Sequence, residues 1–408
     1  MIMLEDDPDI ARSLAALAPT KATPVRRQPI HVVYAGAPRF TAELSTKLGA
    51  IALRALDEHA SDPLELARAL GNDPRSAARV HERVRQKLER EPVEDFRIDF
   101  EDGYGPHSDD EEDADARRAA AELVRGLDAG TLPPSIGIRI RPLEGESARR
   151  ALRTLELFVT EAGRLPSPFV VTLPKVESED ALRLLARALD RLEAQLGLAR
   201  GAITIEAMME TPRALLDARG ACPLSRWPDA CDGRLSGVHL GAYDLSASID
   251  VPAPHQTLHH PICVDALLRA QLALAGRDVH VSDGATTRLP LAPKNASHDD
   301  ARAAVHGGWR EHAEHVREAI ALGVWQGWDL HPAQIVARLG ALHGFFLGSL
   351  ADATARMANF RAERERATRV GATFDDAATG RGLRGFFARG LACGALTRDD
   401  LAAAGLDG

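Results

Sequence analysis

The sequence has few cysteines, and their spacing gives them no metal or redox role. Its 408 residues contain four cysteines, none in a CxxC spacing. Cys222 and Cys231 could form a disulfide, but a chain without an export signal is expected to keep its thiols free. The pair His259 and His260 has no third ligand at zinc-like spacing. The sequence therefore indicates neither a zinc site nor a disulfide framework.

Basic clusters, a secretory signal and long apolar runs are also missing. The net charge is −9, the pI is near 5.9, and the arginines are scattered, which argues against nucleic-acid binding. The start of the chain has neither a basic segment nor an apolar core. No apolar run approaches the roughly 20 residues of a membrane span. We expect a cytoplasmic protein with no nucleic-acid or membrane partner.

Several enzyme motifs are absent as well. There is no GxGxxG after a strand, no GxxxxGK[ST] and no GxSxG, so dinucleotide, P-loop and nucleophile-elbow chemistries are not indicated. A Schiff-base lysine requires burial among apolar neighbours. Lys175 and Lys294 are the only remote candidates for that role.

What the sequence does contain is an alternation of strands and helices. Eight strands are predicted, at 29–36, 95–100, 135–140, 168–173, 203–209, the start of 235–246, 278–282 and 323–330. This count favours a parallel (β/α)8 TIM barrel over an open sheet. With 45% hydrophobic residues, the chain can form one large domain with an appendage. We predict an N-terminal arm at 1–29, a TIM-barrel domain at 30–346 and a C-terminal helical extension at 347–408.

Two of these strands lead into a carboxylate. Glu210 follows the fifth strand, and Thr211 and Pro212 are suited to cap and open the next helix. Asp244 lies past the end of the following apolar run. The carboxyl ends of barrel strands hold active sites, and two carboxylates are the minimal protein contribution to a hard divalent cation with open positions. Glu210 and Asp244 are therefore the candidate metal ligands.

Glu206 lies on the same strand face as Glu210 but cannot share an ion with it, because four residues of strand separate them by ~13 Å. A buried charge needs a partner, and Arg97 or Arg139 could supply it. Arg139 and Arg141 lie on one face of the third strand, so we expect at least one guanidinium in the barrel mouth. For Arg139 we favour substrate contact over a structural ion pair with Glu206.

A second acidic group follows the second predicted strand. Asp99 and Glu101 share a face, Asp102 lies opposite, and nearby glycines free the backbone for a ligand. Two roles are open to these acids: tuning the waters of a metal ion or pairing with Arg139. Lys175, at the tip of the fourth strand, is either an anion contact or a solvated lysine of the barrel rim.

Two further polar features are assigned structural roles. The acidic run 108–115 is interpreted as the solvated first turn of a helix, where the helix dipole favours negative charge. His331, at the end of the eighth strand, could act as an acid or base or pack beside Trp328. We favour packing.

Six short motifs occur in order, at residues 99–102, 138–141, 173–176, 209–211, 241–246 and 330–334. Together they resemble the citrate lyase beta subunit-like group of the HpcH/HpaI aldolase family, within the phosphoenolpyruvate/pyruvate barrel superfamily. The resemblance spans about residues 30–334. It implies a Mg2+-dependent carbon–carbon lyase, with Mn2+ as the alternative ion, acting through a metal-stabilised enolate of a 2-oxo acid such as pyruvate or of an acyl-CoA.

The resemblance also implies residue roles. Glu210 and Asp244 correspond to the metal ligands, and Arg139 corresponds to the arginine that contacts the enolate oxygen. The further catalytic candidates are Asp99, Glu101 and Asp102. The substrate-binding candidates are Arg139, Lys175, Gly241 and Ala242. The sequence departs from the family at Arg141, where an asparagine is usual.

Two other functions stay open. Phosphoryl or C–P transfer on a phosphoenolpyruvate-like substrate would use the same metal and arginine, and phosphate dependence would distinguish it. A non-catalytic barrel could instead serve as a binding subunit that docks through its C-terminal helices. Two acids beside an arginine argue against an idle barrel. In either case we expect a homo-oligomer that binds a small molecule.

Overall fold

The computed structural model describes residues 27–363 and 377–406. Within these residues, eight parallel strands close into one barrel in chain order, because the first strand pairs with both the second and the eighth. The strands are β1 His31–Gly36, β2 Asp95–Asp99, β3 Ser135–Arg139, β4 Phe169–Leu173, β5 Ile203–Met209, β6 Leu235–Leu240, β7 His280–Ala285 and β8 Gln326–Asp329. The predicted (β/α)8 TIM barrel is confirmed.

Helices cover the outside of the barrel and fill its connections. They are α1 Leu44–His59, α2 Pro63–Leu70, α3 Ala77–Arg90, α4 Asp109–Ala129, α5 Ser147–Ala162, α6 Glu179–Leu196, α7 Pro212–Leu215, α8 Trp227–Ala230, α9 Ala242–Ala247, α10 Pro261–Ala273, α11 His298–Ala321, α12 Pro332–Glu363, α13 Ala377–Ala392 and α14 Arg398–Ala403. Thr397 and Asp400 form the capping box that starts α14, as its sequence predicts.

Strand β5 shows why the inside of the barrel is polar. Its apolar residues Ile203, Ile205 and Ala207 alternate with polar ones and pack under the helices. Glu206 points the other way and reaches Arg97 on β2. The interior therefore holds polar and charged side chains that must be paired with one another.

Helix α12 runs without a break across residue 346, where the sequence predicts a domain boundary. By length and composition this helix could cross a membrane, which the sequence analysis did not anticipate. However, 72% of its most apolar stretch is buried inside the molecule, where it packs on α1, α3 and α11. This burial identifies α12 as a core helix. The three-part domain division stays a prediction, and residues 1–26 of the arm lie outside the described residues.

The described part of the C-terminal extension is fastened by aromatic side chains. The ring of Phe386 on α13 lies 5.9 Å from that of Phe345 and 5.0 Å from that of Phe346 on α12. Arg389 lies over the ring of Trp325, 5.0 Å from its centroid. Helix α13 is thus held against the end of the barrel where the strands begin, since Trp325 directly precedes β8.

Gly137 on β3 has no room for a side chain. A Cβ atom there would lie 1.8 Å from the carbonyl oxygen of Val170, a backbone atom that cannot rotate away. We expect Gly137→Ala to lower the free energy of unfolding by about 3 kcal/mol, the upper part of the range for overpacked sites. Denaturant unfolding would measure this change.

The matched control is Gly348 on α12, where an added Cβ would meet nothing within 4 Å. We expect Gly348→Ala to raise the free energy of unfolding by about 0.5–1 kcal/mol, because alanine is the better helix former. Equal effects of the two substitutions would contradict the close approach of β3 and β4.

Candidate active site

Charged side chains near the carboxyl ends of β2 to β6 interact through ion pairs, hydrogen bonds or, for Asp244, electrostatic repulsion, and we call them the mouth cluster. Its members are Asp99, Glu101, Asp102, Arg139, Lys175, Glu210 and Asp244. The structure thus brings together the charged residues that the sequence predicts for the site. This is the end of the barrel where such folds carry their active sites.

Arg139 is buried and held by Asp99. Its Nε donates to Asp99 Oδ1 at 2.7 Å, its Nη2 donates to Asp99 Oδ2 at 2.5 Å, and its Nη1 lies 3.1 Å from Glu101 Oε2. The guanidinium also lies 4.9 Å from the ring centroid of Tyr34 and 5.5 Å from that of Trp328. The sequence leaves two roles open for the acids after β2, tuning the waters of a metal ion or pairing with Arg139. For Asp99 and Glu101 the structure shows pairing with Arg139.

Glu101 joins Arg139 to Lys175. One of its carboxylate oxygens accepts a hydrogen bond from Lys175 Nζ, and Asp102 lies 3.3 Å from the same nitrogen. Burial alone would lower the pKa of Lys175, but the hydrogen bond to Glu101 and the nearby carboxylates raise it. Lys175 is therefore a protonated cation, which argues against the remote Schiff-base role.

Glu210 directly follows β5 and is 2% exposed. The backbone N–H of Lys175 donates to its Oε1 at 2.6 Å, while Oε2 accepts no hydrogen bond from the part of the chain that the structure describes. A Cβ atom on Gly241 would lie 2.2 Å from Oε2, so the missing side chain makes room for this oxygen. Burial, assisted by the negative charge of Asp244, raises the pKa of Glu210 to about 8 despite the hydrogen bond from Lys175.

Asp244 lies in the first turn of α9 and is exposed to solvent. The N–H of Gly241, just before this helix, donates to the carbonyl oxygen of Met209 at 3.1 Å. Gly241 therefore offers space at the mouth rather than a free donor. Ala242 is buried, and its carbonyl oxygen accepts a hydrogen bond from Ser246 Oγ at 2.7 Å.

The mouth cluster fits a hard divalent cation. It holds five carboxyl groups against the two cations Arg139 and Lys175, an excess of three negative charges when all are ionised. Glu210 and Asp244 offer oxygen donors only, and the Oε2 atom of Glu210 is free to bind. Mg2+ and Mn2+ prefer this type of ligand.

A second polar layer lies deeper in the barrel, around Glu206. Its Oε2 accepts a hydrogen bond from Arg97 Nη2 at 2.7 Å, and its Oε1 accepts from Thr172 Oγ1 at 2.7 Å and from the Tyr34 hydroxyl at 3.2 Å. Arg97 also pairs with Asp95. Of the two partners that the sequence leaves open for Glu206, Arg97 is the one found.

His239 on β6 and His280 on β7 face the same layer, and neither is among the site residues predicted from the sequence. His239 Nε2 lies 2.7 Å from Glu206 Oε2, within ion-pair distance. Burial, with the charge of His239, lowers the pKa of His280 to about 3, so this imidazole is neutral. The period-two alternation could have found them, since His239 is two residues after Gly237 and His280 lies between two valines.

Other predicted residues have structural contacts. Arg141 does not join the mouth cluster; its Nε and Nη2 donate to Glu112 Oε2 at 2.9 and 2.7 Å. Glu112 is 1% exposed, so the expectation of a wholly solvated acidic run is wrong at this residue, because Arg141 draws it inward. His331 Nδ1 accepts a hydrogen bond from the N–H of Ala333 at 3.1 Å, and its packing beside Trp328 stays a prediction. The four cysteines are free thiols, as expected.

The fold and the mouth cluster define a (β/α)8 barrel with an acidic carboxyl-terminal mouth. The chain belongs to the family described as a domain of unknown function (DUF6986), whose model matches residues 10–408. No curated protein matches the chain in sequence. Membership of the HpcH/HpaI aldolase family stays a prediction.

Solved structures share the fold at low sequence identity. A citrate lyase from Burkholderia xenovorans is similar, with a TM-score of 0.61 and 19% identity over 94% of this chain and 97% of that one. A Haloferax volcanii malate synthase in complex with magnesium and glyoxylate has a TM-score of 0.50 and 16% identity over 88% of this chain and 89% of that one. At these identities the likeness establishes the fold.

The raised pKa of Glu210 predicts a pH-dependent cost to stability in the metal-free protein. The folded protein holds this proton up to about pH 8, whereas the unfolded chain releases it near 4.5. Stability is therefore lost as the pH rises from about 4.5 to 8. We expect Glu210→Gln to unfold at a higher temperature than wild type at pH 9. At about 1.4 kcal/mol per pKa unit, its free energy of unfolding should be higher by several kcal/mol, and this difference should shrink toward pH 5.

Thermal unfolding in the presence of a chelator would measure this difference across the pH range. Asp299→Asn is the control, because the Asp299 side chain is 98% exposed. This substitution should change the unfolding temperature by the same amount at low and at high pH. A difference between Glu210→Gln and wild type that does not change with pH would show that Glu210 is ionised throughout.

Proposed function

We propose that this protein is a Mg2+-dependent carbon–carbon bond lyase that acts next to the carbonyl group of a 2-oxo acid or an acyl-CoA. The observation that carries the proposal is the pairing of a buried Glu210 and a nearby Asp244 with the fixed guanidinium of Arg139 in one barrel mouth. The similar folds of a citrate lyase and of a malate synthase bound to magnesium and glyoxylate support it.

Glu210 and Asp244 would hold the metal ion. When bound, Mg2+ would supply a Lewis acid that polarises the substrate carbonyl. Two features of the chain position Glu210 for binding a metal ion. The N–H of Lys175 orients Oε1 of Glu210, and the missing side chain of Gly241 leaves room for Oε2. Mn2+ has the same preference for oxygen ligands and is the alternative ion.

Arg139 would stabilise the charge that develops on the carbonyl oxygen. When the carbon–carbon bond breaks, its electron pair stays with the carbonyl-bearing fragment and forms an enolate. Asp99 already fixes the guanidinium through two hydrogen bonds, so little reorganisation is needed as charge builds up. Asp99 is in this respect a positioning residue.

Glu101 and Asp102 would move the protons, and Lys175 would bind the substrate carboxylate. In the cleavage direction a mouth carboxylate accepts the proton of the substrate hydroxyl group as that carbon becomes a carbonyl. A proton returned to the enolate carbon completes the reaction. Both acids lie within reach of Lys175 Nζ, whose positive charge keeps them close to the substrate.

The proposal predicts that 2-oxo acids bind only together with the metal. We expect isothermal titration of the wild-type protein to show Mg2+-dependent binding of pyruvate, oxaloacetate or glyoxylate. Glu210→Ala and Asp244→Ala should each weaken Mg2+ binding by about 100-fold or more, because the loss of an outer-sphere partner alone costs about 10–100-fold. Both variants should keep their fold, which circular dichroism would verify.

Asp299→Ala, which removes one exposed acid far from the mouth in sequence, is the control for the loss of a surface charge. The lyase proposal would be withdrawn if wild-type turnover of these acids survived exhaustive chelation. Turnover that requires phosphate would point instead to phosphoryl or C–P transfer. A protein that binds none of the three acids would point to a non-catalytic barrel.

A further inference from the structure

A group of potential metal ligands lies inside the barrel, below the mouth cluster. Glu206, His239 and His280 each offer one ligand atom, and these atoms lie within 4.8 Å of one another. They belong to the adjacent strands β5, β6 and β7, whose register sets Glu206 opposite Gly237 and Gly237 opposite His280. Four residues of β5 separate Glu206 from Glu210, about 13 Å along a strand, so this group is distinct from the mouth cluster.

Gly237 creates the space that brings the two histidines to Glu206. A Cβ atom on Gly237 would lie 2.5 Å from His280 Nε2, which means that the imidazole occupies the place of the missing side chain. The ring of His280 then lies 5.9 Å from that of His239. The Nε2 atom of His280 is buried without a hydrogen bond, whereas Nε2 of His239 contacts Glu206 Oε2 at 2.7 Å. Both imidazole groups therefore lie beside one carboxylate.

Carboxylate groups outnumber guanidinium groups in this inner layer. Asp95 and Glu206 are two carboxylates, and the guanidinium of Arg97 bonds to both of them. The remaining partners of Glu206 are the hydroxyl groups of Thr172 and Tyr34 and, at 2.7 Å, the Nε2 atom of His239. Glu206 therefore lies beside both histidines as a carboxylate that can supply the oxygen ligand of a metal site.

An ion can reach the group from the end of the barrel where the strands begin. A cavity of about 590 Å³ lies there, and its walls include Asp95, Arg97, Thr204, Ser236 and His280. The cavity therefore connects one of the ligands to solvent without passing through the mouth cluster.

We propose that Glu206, His239 and His280 bind one divalent transition-metal ion of the zinc type. Two imidazole nitrogens and one carboxylate oxygen are the donor set that Zn2+ and Co2+ prefer, whereas Mg2+ prefers oxygen alone. Donors of a tetrahedral zinc ion with bonds of about 2.0 Å lie about 3.3 Å apart. Binding therefore requires His239 Nε2 and Glu206 Oε2 to separate by a few tenths of an ångström. The fourth position is left for water.

Cobalt(II) is the probe for this site, because four-coordinate Co2+ with nitrogen ligands absorbs visible light far more strongly than hydrated Co2+. The full chain would be freed of metal with a chelator and titrated with Co2+, and Zn2+ would then be used to displace the cobalt. We expect one equivalent of Co2+ with a four-coordinate spectrum that zinc abolishes. Element analysis would give the stoichiometry independently.

Gly237→Ala is the sharpest variant, because it keeps all three ligands and only displaces the ring of His280. We expect it, and His280→Gln, to weaken Co2+ binding by at least about 10-fold. His343→Gln is the matched control: His343 is also fully buried with one unpartnered ring nitrogen, but it lies on α12 outside the ligand group. It should bind Co2+ like wild type.

The double variant Glu210→Ala, Asp244→Ala separates this site from the mouth. It should lose Mg2+ binding and keep the cobalt spectrum, so each proposal can fail without the other. A wild-type protein that binds no stoichiometric Co2+, or binds it with the weak spectrum of the hydrated ion, overturns the inner site. Unchanged binding in folded Gly237→Ala and His280→Gln also overturns it.

Discussion

The buried ion pair between Arg97 and Glu206 determines what the inside of this barrel can hold. It links β2 to β5 across the interior, and the hydroxyl group of Thr172 bonds to both partners. Breaking such a pair by removing one partner leaves an unpaired buried charge, at a cost of about 3–5 kcal/mol. The pair therefore fixes the strands whose tips carry the mouth cluster, and it fixes Glu206 in the orientation that meets the histidines.

The mouth cluster shows the opposite electrostatic situation. Its carboxyl groups outnumber its cations, and one of the most buried of them, Glu210, feels the negative charge of Asp244 and has no hydrogen bond from an arginine in the described part of the chain. Folding alone gains nothing from this arrangement, because burial and like charge both disfavour the ionised carboxylate. A site that is costly when empty and satisfied by a cation is the expected result when binding, not stability, has shaped the residues.

Much of this could be predicted from the sequence, because it depends on local patterns. Glu210 directly follows β5 and Asp244 lies four residues after the end of β6, so their place at the barrel mouth needs no knowledge of distant contacts. Strand periodicity restricts the predicted ion-pair partner of Glu206 to two arginines, Arg97 and Arg139. The choice of Arg97 depended on how far neighbouring strands are staggered, which the sequence does not state.

The convergence of His239 and His280 could not be predicted for the same reason. These residues are 41 positions apart, and they meet because the register of β6 and β7 places His280 opposite a glycine. Arg141 also escaped prediction: it shares a strand face with Arg139, yet its partner Glu112 lies on the outer helix α4. Side chains alternate between the two faces of the sheet only within a strand, and Arg141 lies beyond the end of β3.

Helix α13 contributes to one end of the barrel and not to the other. Through Arg389 it contributes to the wall of the cavity where the strands begin, while it supplies none of the mouth cluster at the far end. A substitution of Arg389 would therefore alter the entrance to the barrel from the end where the strands begin, and it would leave the contacts of Glu210 unchanged.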